Sequence, residues 1–473
     1  MLARTDLPPI AIRGPKPPPL IGPLGRLLHF FADPVARMIA LHREYGDVAA
    51  VADGNAALVC AFGAEHNHTV ITQPAAFEHL SEVPIPVRPG TAFARFNNTV
   101  LFKNGEAHRR RRRLLMPAFS KAAVEGYAPE MVAVADEMME KWPIGRATDV
   151  SALLRDLTIG IALRCLFGLR GQDGTDELGR LETALLATIA SPLAMLLPLD
   201  VPGTPFSRAL HLSERVEDRI RRLIADKRRN PGGTDALSRL IEARDEEGAL
   251  LDEADLIGEA NSLFAAGFDT SAHTLTWTLL LLATHPEVLD DVTDEIRTVL
   301  QGERPTIDRL PELGRLDRVV KESMRLLPTP VLLFMRTCNG GAKLGSIALP
   351  KGAQVILSPI VTHRDPALYP APQRFDPERW RAIEPSPYAY LPFGAGARMC
   401  IGAAFATVSL RLSLARVLQR VRPVLPEGAR VDYAVRGPAM GPKGGLPLTL
   451  VPAGSRARSG RVRGNVHTLV DFP

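Results

Sequence analysis

A single cysteine in a glycine-rich segment near the C-terminal end constrains this chain more than any other feature. Residues 393–402 read FGAGARMCIG, with Arg398 two positions before Cys400 and an apolar, helix-forming stretch after it. The three glycines of this segment let the backbone turn tightly and approach a large flat group without a Cβ in the way. A helix predicted to begin at about Cys400 directs free N–H groups and its positive end at the sulfur, which favours thiolate over thiol. Such a thiolate is suited to be the axial ligand of a haem iron.

The same ten residues also fit a buried structural cysteine beside a glycine turn. Motifs elsewhere in the chain are needed to distinguish this from a haem ligand. The segment closely resembles the haem-binding loop of the cytochrome P-450 superfamily, whose pattern is F-G-x-G-x-R-x-C-x-G. The resemblance implies that Cys400 is the proximal ligand of haem b (iron protoporphyrin IX) and that Arg398 reaches a haem propionate. It also implies that Phe393 packs near the sulfur and that Gly394 belongs to the cofactor-binding loop.

Length and composition exclude several protein classes. The chain has 473 residues, of which 46% are apolar and 23% charged, as is typical of a globular protein with a sizeable core. Its four cysteines have no CxxC spacing, which argues against a zinc site or a disulfide scaffold and fits a reducing compartment. The net charge of +5 is accompanied by no nucleic-acid recognition motif or interleaved aromatic residues. We expect a monomer without a nucleic-acid partner.

The two ends of the chain are predicted to lie outside the folded domain. Residues 1–29 are rich in proline and have no long apolar run, so we expect a stiff lead-in without a signal peptide or membrane anchor. Residues 454–473 contain four arginines against one aspartate and are predicted to be a disordered basic tail. Residues 30–453 have no internal linker and are predicted to form one domain of a soluble, cytoplasmic protein of bacterial type.

Helical periodicity dominates the domain, and strand-like pieces are short, so the fold is predicted to be mainly α with a small β portion. The longest helix is expected from Asp252, an N-cap, to about Thr284, before His285 and a proline. Its length of roughly 50 Å would cross a whole domain. Further helices are predicted over 313–327 and from Cys400 to 418. The superfamily fold implies that haem lies between the long central helix and the Cys-loop helix.

The Pro-rich stretch 328–392 is predicted to be mostly non-helical. Inside a compact domain, such a stretch indicates function or a cofactor framework.

The middle of the central helix is predicted to be locally weak. Gly267 costs about 1 kcal/mol in a helix interior, and Thr270 can divert a backbone carbonyl, so a groove for a small ligand and water can open there. Ala266 and Thr270 lie one turn apart on the same face, and Asp269 places an acid beside the alcohol. A helix packing contact with an incidental Asp-Thr pair explains the same residues. The superfamily motif [A/G]-G-x-[D/E]-T matches at every position and implies that Thr270 hydrogen-bonds bound dioxygen while Asp269 relays protons.

A charged pair lies at i and i+3 in the next helix, Glu322 and Arg325. Most pairs of this kind are surface salt bridges worth well under about 1 kcal/mol. The superfamily has a buried E-x-x-R pair here, completed by an arginine of a downstream P-E-R-F-like segment. That segment reads FDPERW in this chain, with Trp380 in the usual Phe place. The resemblance therefore implies a structural triad of Glu322, Arg325 and Arg379.

Haem propionates need cationic partners once they are buried. The basic run 108–113 is the natural place to look, although a solvated basic face explains it as well. An H-x-x-x-R pattern known in the superfamily selects His108 and Arg112, one turn apart, and leaves the other arginines of the run facing solvent. Arg336 matches another propionate-binding arginine of the superfamily.

The leading functional prediction is a haem-thiolate monooxygenase that hydroxylates or epoxidises a hydrophobic small molecule with O2 and external electrons. A peroxide-driven peroxygenase or a haem-thiolate isomerase remains the alternative, and a non-catalytic haem sensor or carrier is a third reading. The chain contains no flavin or Fe–S segment, so we expect a separate acidic ferredoxin and a flavin-dependent ferredoxin reductase. The substrate is predicted to be a fatty acid, terpenoid or steroid-like molecule, in a pocket lined by apolar side chains: Phe93, Phe96, Phe264, Phe268, Val331, Leu332 and Phe334.

Overall fold

Helices make up most of the described chain, as the sequence predicts. The computed structural model describes residues 7, 10–81, 87–170, 177–191, 194, 198–437 and 439–473. In chain order its α-helices are α1 (Gly22–Ala32), α2 (Pro34–Tyr45), α3 (Ala64–Thr72), α4 (Ala92–Phe96), α5 (Gly105–Leu115), α6 (Lys121–Met139), α7 (Val150–Phe167), α8 (Glu177–Ile189), α9 (Pro205–Arg229), α10 (Ala236–Glu242), α11 (Glu253–Thr284), α12 (Pro286–Leu300), α13 (Gly314–Leu326), α14 (Pro359–Thr362) and α15 (Ala403–Arg420). Short 3₁₀ turns lie at Val100–Phe102, Met116–Phe119, Ile307–Glu312, Pro377–Arg381, Gly396–Arg398 and Asn465–Thr468.

The β portion is small, so the predicted fold class is confirmed. Its strands are β1 (Val48–Ala50), β2 (Val59–Ala61), β3 (Phe77–His79), β4 (Ala147–Asp149), β5 (Arg336–Cys338), β6 (Lys343–Leu344), β7 (Ile347–Ala348), β8 (Gln354–Leu357), β9 (Val421–Val424), β10 (Tyr433–Arg436), β11 (Ala439–Pro442) and β12 (Pro447–Pro452). One sheet has the order β1-β2-β8-β5-β3 and another has the order β4-β12-β9; β6 pairs with β7, and β10 with β11. In the first sheet β3 runs antiparallel to β5, which places His79 opposite Arg336.

The central helix α11 organises the core. The Asp252 side chain accepts a hydrogen bond from the N–H of Asp255, so the predicted N-cap is present. Every residue from Thr274 to the end of α11 is buried, and the helix packs against α7, α9, α13 and α15. An apolar surface around the whole circumference is what a helix surrounded by other helices requires. No helix among the described residues is long and apolar enough to cross a membrane.

The N-terminal lead-in is structured further than the sequence predicts. Helix α1 begins at Gly22, so it crosses the predicted boundary between residues 29 and 30. Before it, Ile12 is buried, and the N–H of Ala50 in β1 donates to the carbonyl of Arg13. Pro23 is compatible with this helix because a proline in the first turn gives up no helical hydrogen bond.

The prediction of a disordered C-terminal tail is wrong. Apolar residues of the segment are buried while its arginines are exposed, and Arg364 donates from Nη2 to the carbonyl of Leu469 at 2.8 Å. Asp471 donates its N–H to the carbonyl of Gln373 at 3.0 Å, next to the FDPERW segment. The prediction considers only the net charge of the segment and not the spacing of its apolar residues. These residues recur at helical spacing and are buried: Val462, Val466, Leu469 and Val470.

Candidate functional site

The glycine-rich loop holds Cys400 through its own backbone. The N–H of Cys400 donates to the carbonyl of Phe393 at 2.8 Å, and the N–H of Met399 donates to Gly396 at 3.0 Å. Gly394 and Gly396 have φ of +68° and +65°, a left-handed conformation that favours glycine. A Cβ on Gly396 would also lie 2.6 Å from a side-chain carbon of Ile71 in α3. The loop therefore requires glycine at both positions in order to present the cysteine.

Cys400 differs from the other three cysteines, which are buried, because its side chain is exposed. Its surroundings do not by themselves favour the thiolate. Although Cys400 has accessible surface, the protein atoms around its sulfur partly desolvate the thiol and raise its pKa, while the N–H of Gly402 and the guanidinium of Arg112 lower it. Helix α15 begins at Ala403, later than predicted, so the N–H of Gly402 that acts on the sulfur belongs to the residue just before the helix. A bound metal cation is what deprotonates such a thiol.

Five basic side chains from four parts of the chain form a cluster that reaches Cys400 through Arg112. His108 and Arg112 of α5 are joined by Arg336 of β5 and Arg398 of the Cys loop, as the sequence predicts, and by His79 of β3, which it does not. Burial and mutual repulsion among these groups lower the pKa of Arg336 and of Arg398 to about 10. The same two causes lower the pKa of His108 to about 4 and that of His79 to about 3.

The cluster contains no acidic partner. Within the part of the chain that the structure describes, Arg112, Arg336 and Arg398 form no ion pair with a carboxylate. Partly buried guanidinium groups need an anion, and arginine binds carboxylates in preference to most other groups. A planar group with a metal at its centre and two carboxylates at its edge, as haem has, fits this set of residues.

Backbone and side-chain acceptors fix the directions of two of these arginines. Arg398 donates to the carbonyl of Val100 at 3.1 Å, to the side-chain oxygen of Asn104 at 2.7 Å, and to the carbonyl of Lys103. Asn104 in turn donates to the carbonyl of His79 at 2.9 Å. Arg336 donates to the carbonyl of its own neighbour Phe334 at 2.9 Å. Hydrogen bonds to residues of β3, of the segment before β5 and of the turn before α5 therefore position the cluster.

The other arginines of the basic run have acidic neighbours. The prediction that they face solvent fits the exposed Arg109, Arg110 and Arg113, yet Arg110 pairs with Asp245 and Arg113 with Glu246. The prediction is wrong for Arg111, whose side chain is only 11% exposed and pairs with Asp255 and Glu259 of α11.

The middle of α11 is a continuous helix, and the residues that the sequence singles out there are partly accessible. The Thr270 hydroxyl donates to the carbonyl of Ala266 at 2.9 Å, and Ala266 is exposed although it lies halfway along a largely buried helix. A Cβ on Gly267 would meet only Leu166, at 3.9 Å, so a tight helix contact does not explain this glycine. Ala266 and the Thr270 hydroxyl are thus accessible on one face of the helix.

Asp269 points to partners that the sequence did not reveal. Arg155 of α7 lies 3.2 Å from one carboxylate oxygen, and His273, one turn along α11, lies 3.7 Å from the other. Burial lowers the pKa of His273, whereas the negative charge of the Asp269 carboxylate raises it. The Nδ1 of His273 has no hydrogen-bond partner within the described residues. The three side chains form an ionisable cluster that includes the chain neighbour of Thr270.

Glu322 and its two arginine partners are buried, so the salt bridge is not on the surface. Arg325 donates to both carboxylate oxygens of Glu322 at 2.8 Å, and Arg379 donates to one of them at 2.9 Å. Glu322 and Arg325 are both 0% exposed. The indole N–H of Trp380 adds a further donor at 3.0 Å, which a phenylalanine could not supply. The structure thus brings the three predicted residues together.

The predicted pocket residues divide into core and surface. Phe264 packs edge-on against Phe167 with 5.4 Å between ring centroids, and Phe264, Phe268 and Val331 have no more than 1% of their surface exposed. Phe93 and Phe96 of α4 are also buried. The remaining two keep accessible surface, Leu332 in part and Phe334 to 46%. Phe334 lies against His79 of the basic cluster.

Comparisons with known proteins agree on one family. The sequence model of the cytochrome P450 family matches residues 12–443. Cyclooctat-9-en-7-ol 5-monooxygenase of Streptomyces melanosporofaciens is 34% identical over 343 residues, which cover 69% of this chain and 73% of that protein. Pentalenene oxygenase of Streptomyces avermitilis is 33% identical over 333 residues, with 68% and 73% covered. A solved structure of a retinoic-acid-bound cyanobacterial member has a TM-score of 0.81 at 25% identity, and the match covers 94% of this chain and 100% of that one.

Proposed function

Since the chain belongs to the cytochrome P450 family and is a haem-thiolate monooxygenase, we propose that Cys400 is its iron ligand, that haem b is its cofactor and that its substrate is a terpenoid. The observation that carries the ligand assignment is the position of Cys400. It is the exposed cysteine of the chain, and it lies near Arg112, which forms no ion pair with a carboxylate among the described residues.

Each part of the site has a separate task in this proposal. When bound, the haem supplies the activation of O2 and the transfer of one oxygen atom to the substrate. Arg112, Arg336 and Arg398 bind its carboxylates, and the Cys loop holds the sulfur at a fixed place. The triad around Glu322 keeps the segment before the Cys loop in position.

Thr270 and Asp269 deliver protons in this proposal. The Thr270 hydroxyl is bonded to the carbonyl of the exposed Ala266, and the carboxylate of its chain neighbour Asp269 is oriented by Arg155. Because Asp269 is 31% exposed, its carboxylate can exchange protons with solvent. A positioned carboxyl group of this kind is suited to act as a general acid and base.

The substrate class rests on the relatives. Two of them carry names of cyclic terpenoid substrates, cyclooctat-9-en-7-ol and pentalenene. Both molecules are hydrophobic, as the apolar residues of the predicted pocket also require. A terpenoid is therefore favoured over a fatty acid or a steroid. A separate acidic ferredoxin and its flavin-dependent reductase are proposed to supply the electrons. The protein itself is proposed to be a monomer in the cytoplasm.

The test of the ligand assignment is the spectrum of the ferrous–CO complex. Cys400→Ser should abolish the red-shifted Soret band of thiolate ligation. Cys165→Ala is the matched control, because Cys165 is buried near Tyr127 and should leave the band unchanged. A Cys400→Ser protein that keeps the band would remove the assignment. Titration with a terpenoid library, followed by the Soret shift, then tests the substrate class.

A further inference from the structure

We propose that Glu259 is a positioning residue for the haem carboxylates, because it fixes the turn that holds Arg398. The turn is residues 97–104, between α4 and α5. The proposal rests on the proposed role of Arg398 as a haem ligand and adds the residue of the central helix that sets its position.

Glu259 binds the turn from the side of the central helix. One of its carboxylate oxygens accepts the N–H of Val100 at 2.7 Å and Nη1 of Arg111 at 3.1 Å. Glu259 is 0% exposed. It lies seven residues before Ala266, which is two helical turns or about 10 Å along the axis, on the same face of α11.

Arg398 binds the same turn through its carbonyls. Val100, whose N–H donates to Glu259, also accepts a hydrogen bond from Arg398 at its carbonyl oxygen, at 3.1 Å. Leu101 contributes a second carbonyl at 3.4 Å, and Asn104 contributes a side-chain oxygen at 2.7 Å. Any displacement of Val100 is therefore passed directly to the guanidinium of Arg398.

Neighbours of Glu259 press the same segment onto α11. A Cβ on Gly258 would lie 2.6 Å from the carbonyl oxygen of Arg95, so only glycine allows this approach. Asp255, one turn before Glu259, accepts hydrogen bonds from Arg111 and, at 3.1 Å, from Asn98. Asp255, Gly258 and Glu259 of α11 thus contact residues 95–100. The chain then continues through the turn to the groups that accept hydrogen bonds from Arg398.

Stability alone does not account for a carboxyl group at this place. Burial raises the pKa of Glu259 to about 7, although Arg111 and the N–H of Val100 lower it. Its second carboxylate oxygen has no hydrogen-bond partner within the described part of the chain. Because the folded protein holds the proton more tightly than the unfolded chain, ionisation of Glu259 destabilises the fold as the pH rises from about 4.5 to 7. An apolar residue would avoid that loss, so the carboxylate is explained by what it positions.

The experiment compares three variants by the rate at which haem is transferred to apomyoglobin. Glu259→Leu removes the acceptor and should accelerate haem loss about tenfold, the usual size of such an outer-shell effect. Glu259→Gln keeps an acceptor for Val100 and should restore the rate to within about threefold. The matched control is Glu182→Leu on α8, because Glu182 is also 0% exposed and its oxygens have no hydrogen-bond partner among the described residues. This control should leave haem loss unchanged.

Val100→Pro provides an independent way to break the same contact. It removes the N–H that Glu259 accepts, and proline suits the first position of the 3₁₀ turn after Thr99, whose backbone is extended. It should accelerate haem loss about as much as Glu259→Leu does. In the double variant the two effects should not multiply, because both break one hydrogen bond.

Three outcomes would overturn the proposal. In the first, Glu259→Leu and Val100→Pro lower the unfolding temperature while haem loss stays at the original rate, which is what a purely structural role predicts. Equal acceleration by Glu182→Leu would show a general effect of buried carboxyl groups. A double variant with fully multiplied rates would show that the residues act separately. The ferrous–CO band distinguishes these failures from failure of the proposed function, since every variant here keeps Cys400 and should keep that band.

Discussion

Two polar clusters of this molecule, one around Glu322 and one around Asp269, differ in how completely their atoms are paired. Glu322 accepts hydrogen bonds from Arg325, Arg379, Trp380 and the N–H of Asp376, and it is 0% exposed. Asp269 has two side-chain neighbours at 3.2 and 3.7 Å and is 31% exposed.

The difference shows how one fold separates rigidity from reactivity. A buried network whose members are all satisfied has one arrangement and no free site for exchange with water. A carboxylate with unused acceptor positions and access to solvent can take up and release a proton. The first cluster is thus expected to control folding and haem retention, and the second is expected to control turnover.

The largest effect is expected from Glu322→Ala. Its removal leaves two buried arginines without their carboxylate, which should cost about 3–5 kcal/mol of stability. The protein should be recovered unfolded or without haem, as measured by the haem-to-protein ratio and by thermal unfolding. Glu378→Ala is the control: Glu378 pairs with Arg318 at 2.9 Å but is 51% exposed, so its loss should cost less than about 1 kcal/mol. A haem-loaded, stable Glu322→Ala protein would contradict the first half of the comparison.

Asp269→Asn should slow turnover about a hundredfold, since the proton-exchanging group loses its titrating atom. Because Asp269 is partly exposed and its pairs are loose, the unfolding temperature should change little. The measurement is kcat with a true substrate and a competent redox partner. Asp294→Asn, which breaks a surface pair with Arg297, should leave kcat unchanged. Loss of haem in Asp269→Asn would place this residue with the structural cluster instead.

Thr270→Ala should have the smallest effect on the protein and a specific effect on its products. Haem and substrate binding should be nearly unchanged, while product formed per electron falls severalfold and hydrogen peroxide rises. Ser271→Ala removes the same kind of bond, from Oγ to the carbonyl four residues earlier, on a buried part of the helix. Its coupling should stay normal. Unchanged coupling in Thr270→Ala would favour a peroxide-driven enzyme or an isomerase.

The residues that could be predicted from sequence are those with local patterns. The turn of the Cys loop and the i, i+3 pair of Glu322 and Arg325 depend on neighbours in the chain, and the structure contains both. His79 could not be found in this way, because only the pairing of β3 with β5 places it beside Arg336. His273 likewise has no motif of its own.

Predictions from composition failed where pattern mattered more. The C-terminal segment was assigned by its charge, although its apolar residues recur at helical spacing and are buried. Apolar character also does not distinguish a cavity from the core: Phe264 and Phe268 are predicted to line a pocket, and the structure packs their rings against each other. In both cases the sequence does not show which side chains are covered by other elements of the fold.

Trp380 gives the triad an optical signal of its own. The chain has three tryptophans, and this one donates its indole N–H to Glu322 and lies 4.7 Å from the ring of Tyr390. Trp277 donates to the carbonyl of Met440 at 3.0 Å, in the core near the end of α11, and Trp142 is buried elsewhere. Indole emission depends on the polarity and hydrogen bonding of the surrounding groups. The fluorescence of a protein whose other two tryptophans are replaced would therefore follow the opening of this one network, separately from the absorption bands of the haem.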